Sequence, residues 1–296
     1  MAPFDGPVDF ERVARRIEAH PIEGDPQEMR ARFAELVTGS RAPAPLPVAD
    51  IGGVPTARID PPGGAQPPSD AALVYFHGGG YVFGSPATHA RLLRALATAT
   101  GRSVYAPRYR RAPEYPWPAM LDDALALCTA LREGGNVHLV VAGDSAGGHL
   151  ALNTALALAE RGTPAAGVLA FSPNTDRSGR SRTREANTPT DPMNSDADDR
   201  ALAERTFGDN FDPRDPQVSP LLADLSALPP VHLEVGGREV LLDDSRLFHQ
   251  RLLEAGGRAT LHEDPDAFHM WQIWVPWLPA ARASVERAGQ WVRDLR

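Results

Sequence analysis

The chain has 296 residues, enough for one large α/β domain or a domain with a small accessory piece. At 42% hydrophobic and 23% charged it can build a sizeable core; its net charge of −8, with no cluster of basic residues interleaved with aromatics, argues against a nucleic-acid partner. The single cysteine, Cys128, excludes an intrachain disulfide and lies in an apolar helical pattern, so it reads as a buried small hydrophobe. Residues 1–10 lack the basic-then-apolar pattern of a signal peptide and no apolar run is long enough to span a membrane, so the expectation is a cytoplasmic protein with no membrane partner.

Two short amphipathic helices come first. Phe10, Val13 and Ile17 share a face of one. Ahead of the other, Asp25 can cap, Pro26 suits the first helical position and Glu28 can close a capping box; Met29, Phe33, Leu36 and Val37 form its apolar stripe. A proline-rich connector at 41–47 cuts these helices off, dividing the chain into residues 1–42 and 43–296. Strand-like runs follow near 46–50, 55–59, 71–76, 103–107, 137–142, 167–171, 230–235 and 258–263, and helix-like runs near 87–97, 120–132, 145–160, 242–254 and 280–295. The first strands are too close for a crossover and predict hairpins. From residue 71 onward strands and helices alternate, which predicts βαβ units and a mostly parallel sheet. The 137–142 run is apolar apart from His138, as a central strand should be. The last helix carries Val285, Ala288, Val292 and Leu295 on one face. The polar stretch at about 173–220 breaks the rhythm and predicts an insertion over the strand ends, able to form a lid with the N-terminal helices.

Between a β-like run and a helix-like run stands Gly143-Asp144-Ser145-Ala146-Gly147-Gly148. G-x-S-x-G in that setting is a nucleophile elbow: the serine takes a strained backbone conformation that exposes its hydroxyl, and the flanking glycines avoid collisions. A serine nucleophile needs a base, a group that orients the base, and donors for the oxyanion. The donors are read in His77-Gly78-Gly79-Gly80, which follows the 71–76 run. Gly78 and Gly79 N–H, with that of Ala146, are assigned to the oxyanion hole, each worth about 3 kcal/mol of transition-state stabilisation. The glycine run lacks the G-x-G-x-x-G spacing of a dinucleotide site, and no H-E-x-x-H or paired Cys/His spacing points to a metal; no cofactor is expected.

His77-Gly-Gly-Gly80, Tyr109-Arg110-Arg111-Ala112-Pro113-Glu114 running on to Pro116-Trp-Pro-Ala119, and Gly143-Asp-Ser-Ala-Gly-Gly148 stand in an order and spacing that resemble the hormone-sensitive lipase group of α/β-hydrolases, the bacterial family IV carboxylesterases. Arg111 departs from the apolar residue usual there. The resemblance implies an α/β-hydrolase fold with a small helical cap, residues 1–42 supplying cap helices, and a structural turn at 109–114 braced by Arg110 and Glu114. It also implies a triad acid after the seventh strand. By register that is Glu239 in Gly236-Gly-Arg-Glu239-Val-Leu-Leu-Asp243-Asp244, with Asp243 as rival and as candidate cap of the following helix. His269, in Asp266-Ala-Phe-His-Met-Trp271, is the implied base; His262 competes but falls inside a strand-like run. His77 reads as a brace for its loop and His149 as a residue of the elbow helix.

The implied activity is serine carboxylesterase action on short- to medium-chain esters of small molecules. Other acyl hydrolysis on the same machinery (amidase, lactonase or deacetylase) and a non-catalytic small-molecule receptor are the alternatives. Tyr81, Phe83, Met193, Phe207 and Phe211 are candidates to line an apolar pocket, or the lid's own core, and Trp271 to border the alcohol side. Relatives in the family often pair through the last strand and helix, so a homodimer belongs to what the resemblance implies.

Overall fold

The computed structural model describes residues 2–39, 45–63 and 67–295; most of the expected connector at 41–47 lies outside them. Among the described residues eight strands form one sheet: β1 (Val48–Ile51), β2 (Val54–Ile59), β3 (Ala71–Phe76), β4 (Ser103–Pro107), β5 (His138–Asp144), β6 (Gly167–Phe171), β7 (Val231–Gly236) and β8 (Ala259–Asp264). Their spatial order is β1-β2-β4-β3-β5-β6-β7-β8. β1 and β2 make the expected hairpin, β2 runs antiparallel to β4, and all later neighbours are parallel.

The central strands are buried on both faces and feed two cores. Leu73, Tyr75, Val140, Ala142, Leu169 and Phe171 point to one side, where α3 (Ala90–Thr100) and α9 (Pro279–Asp294) pack. Ala72, Val74, Phe76, Val141, Val168 and Ala170 point to the other, covered by α4 (Ala119–Glu133), α5 (Ala146–Glu160) and α8 (Leu242–Glu254). This is the period-2 alternation of strands. The helix expected over 87–97 starts three residues later, because Ser85 and Thr88 first close a turn by reciprocal side-chain bonds to each other's N–H. Leu295 falls just past α9 and packs beside it.

The N-terminal helices form as read: α1 (Phe10–Glu18) and α2 (Pro26–Thr38), the latter with the Asp25–Glu28 capping box made. They join the first core rather than standing apart from it. Phe33 packs on Phe83, Phe10 on Phe268, and Phe4 on Trp274 and Trp277. The polar insertion contains α6 (Thr183–Ala186) and α7 (Asp196–Phe207). Its arginines are not all solvated. Arg184 is buried and bonds Asp199, Asp244 and Asn174 at 2.7–3.0 Å. Burial works against its charge, but Asp244 and Asp199 overcome this and raise its pKa. Among the described residues no helix is long and apolar enough to cross a membrane.

Candidate active site

β5 runs directly into the turn that carries Ser145, and α5 begins at the next residue. Ser145 has φ 56° and ψ −122°, the sparsely populated region expected of an elbow. Its N–H bonds the Phe171 carbonyl at 2.9 Å, fixing the turn to the end of β6. A Cβ at Gly143 would strike the Gly147 carbonyl, and one at Gly147 the Phe76 and His77 carbonyls, so both positions need glycine.

Two loops at the same end of the sheet complete the constellation. After β7 the chain folds back so that Gly237 N–H donates to the Asp264 carbonyl (2.7 Å) and Arg238 N–H to that of Ala267 (3.0 Å). These bonds hold the Glu239 loop against the His269 loop. His269 Nε2 lies 2.8 Å from Ser145 Oγ, and its Nδ1 lies 2.7 Å from Glu239 Oε2. Glu239 Oε1 accepts from the Ser172 hydroxyl at 2.8 Å and from Gly236 N–H. Glu239 is fully buried and His269 nearly so. Burial lowers the His269 pKa, but the hydrogen bond and charge of Glu239, with Asp191 and Asp144, outweigh it and leave it raised. Asp191, in the insertion, accepts from Val240 N–H and Met193 N–H; burial, reinforced by Glu239 and opposed by His269, lifts its pKa to about 7.

The rivals stand elsewhere. Asp243 lies in the first turn of α8 but does not cap it; its carboxylate accepts the N–H groups of Arg182 and Thr183 at the start of α6. His262 sits in β8 at the sheet edge. His77 braces its loop through its own Nδ1 and a stacked Tyr109, and burial pushes its pKa down to about 3. His149 is buried on α5 beside the Tyr81 hydroxyl (2.6 Å). Arg110 pairs with Asp123, while Glu114 pairs with Arg30 of α2, so the 109–114 turn is braced to two different elements. Arg111, the departure from the family pattern, donates to the Gly84 carbonyl at 2.6 Å.

One oxyanion assignment needs correction. Gly78 N–H donates to the buried Asp144 carboxylate at 3.0 Å and so faces away from Ser145. The glycines that line the cleft at Ser145 are Gly79 and Gly80, with Ala146. Among the described residues the N–H groups of Gly79 and Gly80 make no hydrogen bond within the protein. Ala146 N–H, in the first turn of α5, has no intrahelical partner by geometry.

The cleft itself is small, about 30 Å³. It shares Phe83, Met193, Asn194 and Leu202 with a cavity of about 410 Å³ between the N-terminal helices and α7. Phe83 and Met193 line both cavities. Tyr81 and Phe207 do not: they stack with Trp117 and His149 in a separate aromatic cluster. Phe211 borders another cavity, and Trp271 is fully buried in the core behind the base. Sequence reasoning missed Ser172, Asn194, Leu202 and Asp191. Only Ser172 carried any signal, as a polar residue at the end of an apolar strand. Among the described residues no group of His, Cys, Asp or Glu is arranged to hold a metal ion.

Residues 73–273 match the model of a family described as having the alpha/beta hydrolase fold. An acetyl-hydrolase of Streptomyces hygroscopicus is 38% identical over 224 residues, 75% of each chain. An esterase of Acinetobacter venetianus is 30% identical, covering 78% of this chain and 77% of its own. The crystal structure of an esterase from the bacterial hormone-sensitive lipase family superimposes with a TM-score of 0.90 at 32% identity, over 96% of this chain and 97% of that one. The protein is thus an α/β-hydrolase. Within that fold the chain belongs to the hormone-sensitive lipase family of esterases, and it is a carboxylic-ester hydrolase.

Proposed function

We propose that the chain is a serine esterase using Ser145 as nucleophile, His269 as general base and Glu239 as the acid that orients it. The observation that carries this reading is the continuous hydrogen-bonded chain from Ser145 Oγ through both ring nitrogens of His269 to a buried carboxylate. Glu239 holds the tautomer with the proton on Nδ1, leaving Nε2 free to take the hydroxyl proton as Oγ attacks the ester carbonyl. The amides of Gly79, Gly80 and Ala146 receive the oxyanion. Collapse of the tetrahedral intermediate expels the alcohol, which takes the proton from His269. Water, activated by the same imidazole, then hydrolyses the acyl-enzyme.

The narrow cleft at Ser145 favours a short acyl group, acetyl above all, and the names of the acetyl-hydrolase relatives point the same way. The larger cavity under the N-terminal helices and α7 would take the bulkier part of the ester, those elements acting together as the cap. β8 leaves one edge of the sheet unpaired, the surface through which a homodimer would form, to be checked by light scattering. The test of the chemistry is a fluorophosphonate probe with p-nitrophenyl acetate turnover. The adduct is expected on the peptide containing Ser145, and Ser145→Ala should lose both labelling and turnover while keeping its melting transition. Turnover retained in that variant would refute the assignment.

A further inference from the structure

Behind the glycine loop lies a buried polar cluster that the proton relay does not use. Asp144, one residue before the nucleophile, accepts Gly78 N–H at 3.0 Å and the Tyr75 hydroxyl at 2.7 Å on Oδ1, and faces His89 Nε2 at 3.2 Å with Oδ2. A Cβ at Gly78 would collide with this carboxylate, so the close approach requires glycine. His89, just before α3, is fully buried. Its Nδ1 faces the Ser85 carbonyl at 3.2 Å and the Thr88 hydroxyl at 2.9 Å, and that hydroxyl already donates to the Ser85 carbonyl at 2.8 Å. The hydroxyl proton can equally turn to Nδ1, and Nε2–H then donates to Asp144 Oδ2. Burial raises the Asp144 pKa, but His89, Tyr75 and His77 outweigh it and hold the carboxyl below its usual range.

The loop's other end is also fixed: Val82 and Phe83 N–H both donate to the Gly79 carbonyl at 2.9 Å. Between these two anchors Gly79 and Gly80 take φ of 115° and 56°. The grip on Gly78 therefore sets which way the next two amides face.

We propose that His89 and Asp144 are a positioning pair for ester hydrolysis, an inference that rests on the esterase reading above. The carboxylate clamps the Gly78 amide so that the Gly79 and Gly80 amides face Ser145. The His89 ring holds the second oxygen of that carboxylate, so that the clamp keeps its direction.

The test is a double-mutant cycle on p-nitrophenyl acetate, with kcat referred to serines titrated by a fluorophosphonate. His89→Gln removes the ring that holds Asp144 Oδ2 and leaves the carboxylate poorly partnered; kcat should fall roughly 30-fold, with KM within about twofold. Adding Asp144→Asn removes the carboxylate charge while its Oδ1 still accepts from Gly78. That second change should restore about tenfold of the loss. A double variant as slow as the two single losses multiplied, or His89→Gln at the wild-type kcat, would overturn the pairing. If His89→Gln does not fold, Asp144→Asn is compared with Asp144→Ala. The first should stay within about fivefold of wild type and the second fall roughly 100-fold, since only Asn can hold the Gly78 amide; equal rates would overturn the clamp. An inactive wild type would sink the esterase reading and this inference together, whereas an active wild type with uncoupled variants sinks the pair alone.

Discussion

Ser145, Glu239 and His269 stand on loops stitched to the sheet and to one another by backbone hydrogen bonds, among them Ser145 to Phe171 and Gly237 to Asp264. The insertion above them is fastened mainly by side-chain charge: Arg184 to Asp244 and Asp199, and Arg177 to Asp199. The N-terminal helices are intermediate, with an apolar underside and charged clamps: Arg30 reaches Glu114 and the Val82 and Ala112 carbonyls, and Glu11 pairs with Arg238. The contrast separates two jobs. Proton transfer needs atoms held to a few tenths of an ångström, which strand ends with paired backbone supply. Admission of a substrate needs a cover whose shape can differ without disturbing that floor.

The largest effect should come from the floor. Glu239→Gln would destroy the carboxylate that holds the His269 tautomer, and kcat should fall by up to roughly 10⁴-fold. Asp243→Asn, whose carboxylate meets the start of α6 and Arg246, should stay within about threefold of wild type. Steady-state kinetics of the two variants would decide, and the reverse ranking would move the acid to Asp243.

Arg184→Met next tests whether the cover is fastened as described. It strands the Asp244 and Asp199 carboxylates in the interior, and urea unfolding should show a loss of about 3–5 kcal/mol. Fluorophosphonate labelling of Ser145 should survive in the protein that remains folded. If labelling vanished while the protein stayed folded, the division between floor and cover would be wrong.

A smaller change is expected at the passage between the two cavities. Leu202, on α7, is packed where a side chain at Gly80 would be. Leu202→Ala should widen the cleft and move kcat/KM toward butyrate over acetate esters by about tenfold. An unchanged ratio would place the acyl group elsewhere.

The finest effect concerns pH. His269 must be neutral to act as base, so activity is lost as pH falls through its raised pKa. The charge of Asp191 contributes to that rise, so Asp191→Asn should move the acid limb of kcat/KM to lower pH. Asp191 itself titrates near 7, above its unfolded value, so the folded state binds the extra proton and this group's contribution to stability falls as pH rises from about 4 through 7. Asp191→Asn should flatten that part of the stability profile, measured by melting temperature against pH. An acid limb that moves upward would refute the coupling to His269.

The amino-acid sequence by itself determined the strands, most of the helices and the elbow at Ser145. β3, β4, β6 and α8 have the expected limits, because short apolar runs and one long periodic run ended by turn residues leave few alternatives. Ser145 was legible because the elbow imposes glycine on either side through local backbone sterics. The geometry that joins Glu239 to His269 was reached through a family's register, since nothing local distinguishes that carboxylate from Asp243.

Tertiary structure alone decided which glycines line the cleft at Ser145. Gly78 is turned away by a carboxylate 66 residues along the chain, an attraction that no local pattern reveals. It also sent Tyr81, Phe207 and Trp271 into apolar clusters rather than the cleft, and drew Arg184 inside. Aromatic and charged side chains are compatible with several environments, and which one each occupies is set by partners distant in sequence. Backbone propensity is read residue by residue; desolvation and charge pairing are settled only when remote segments meet.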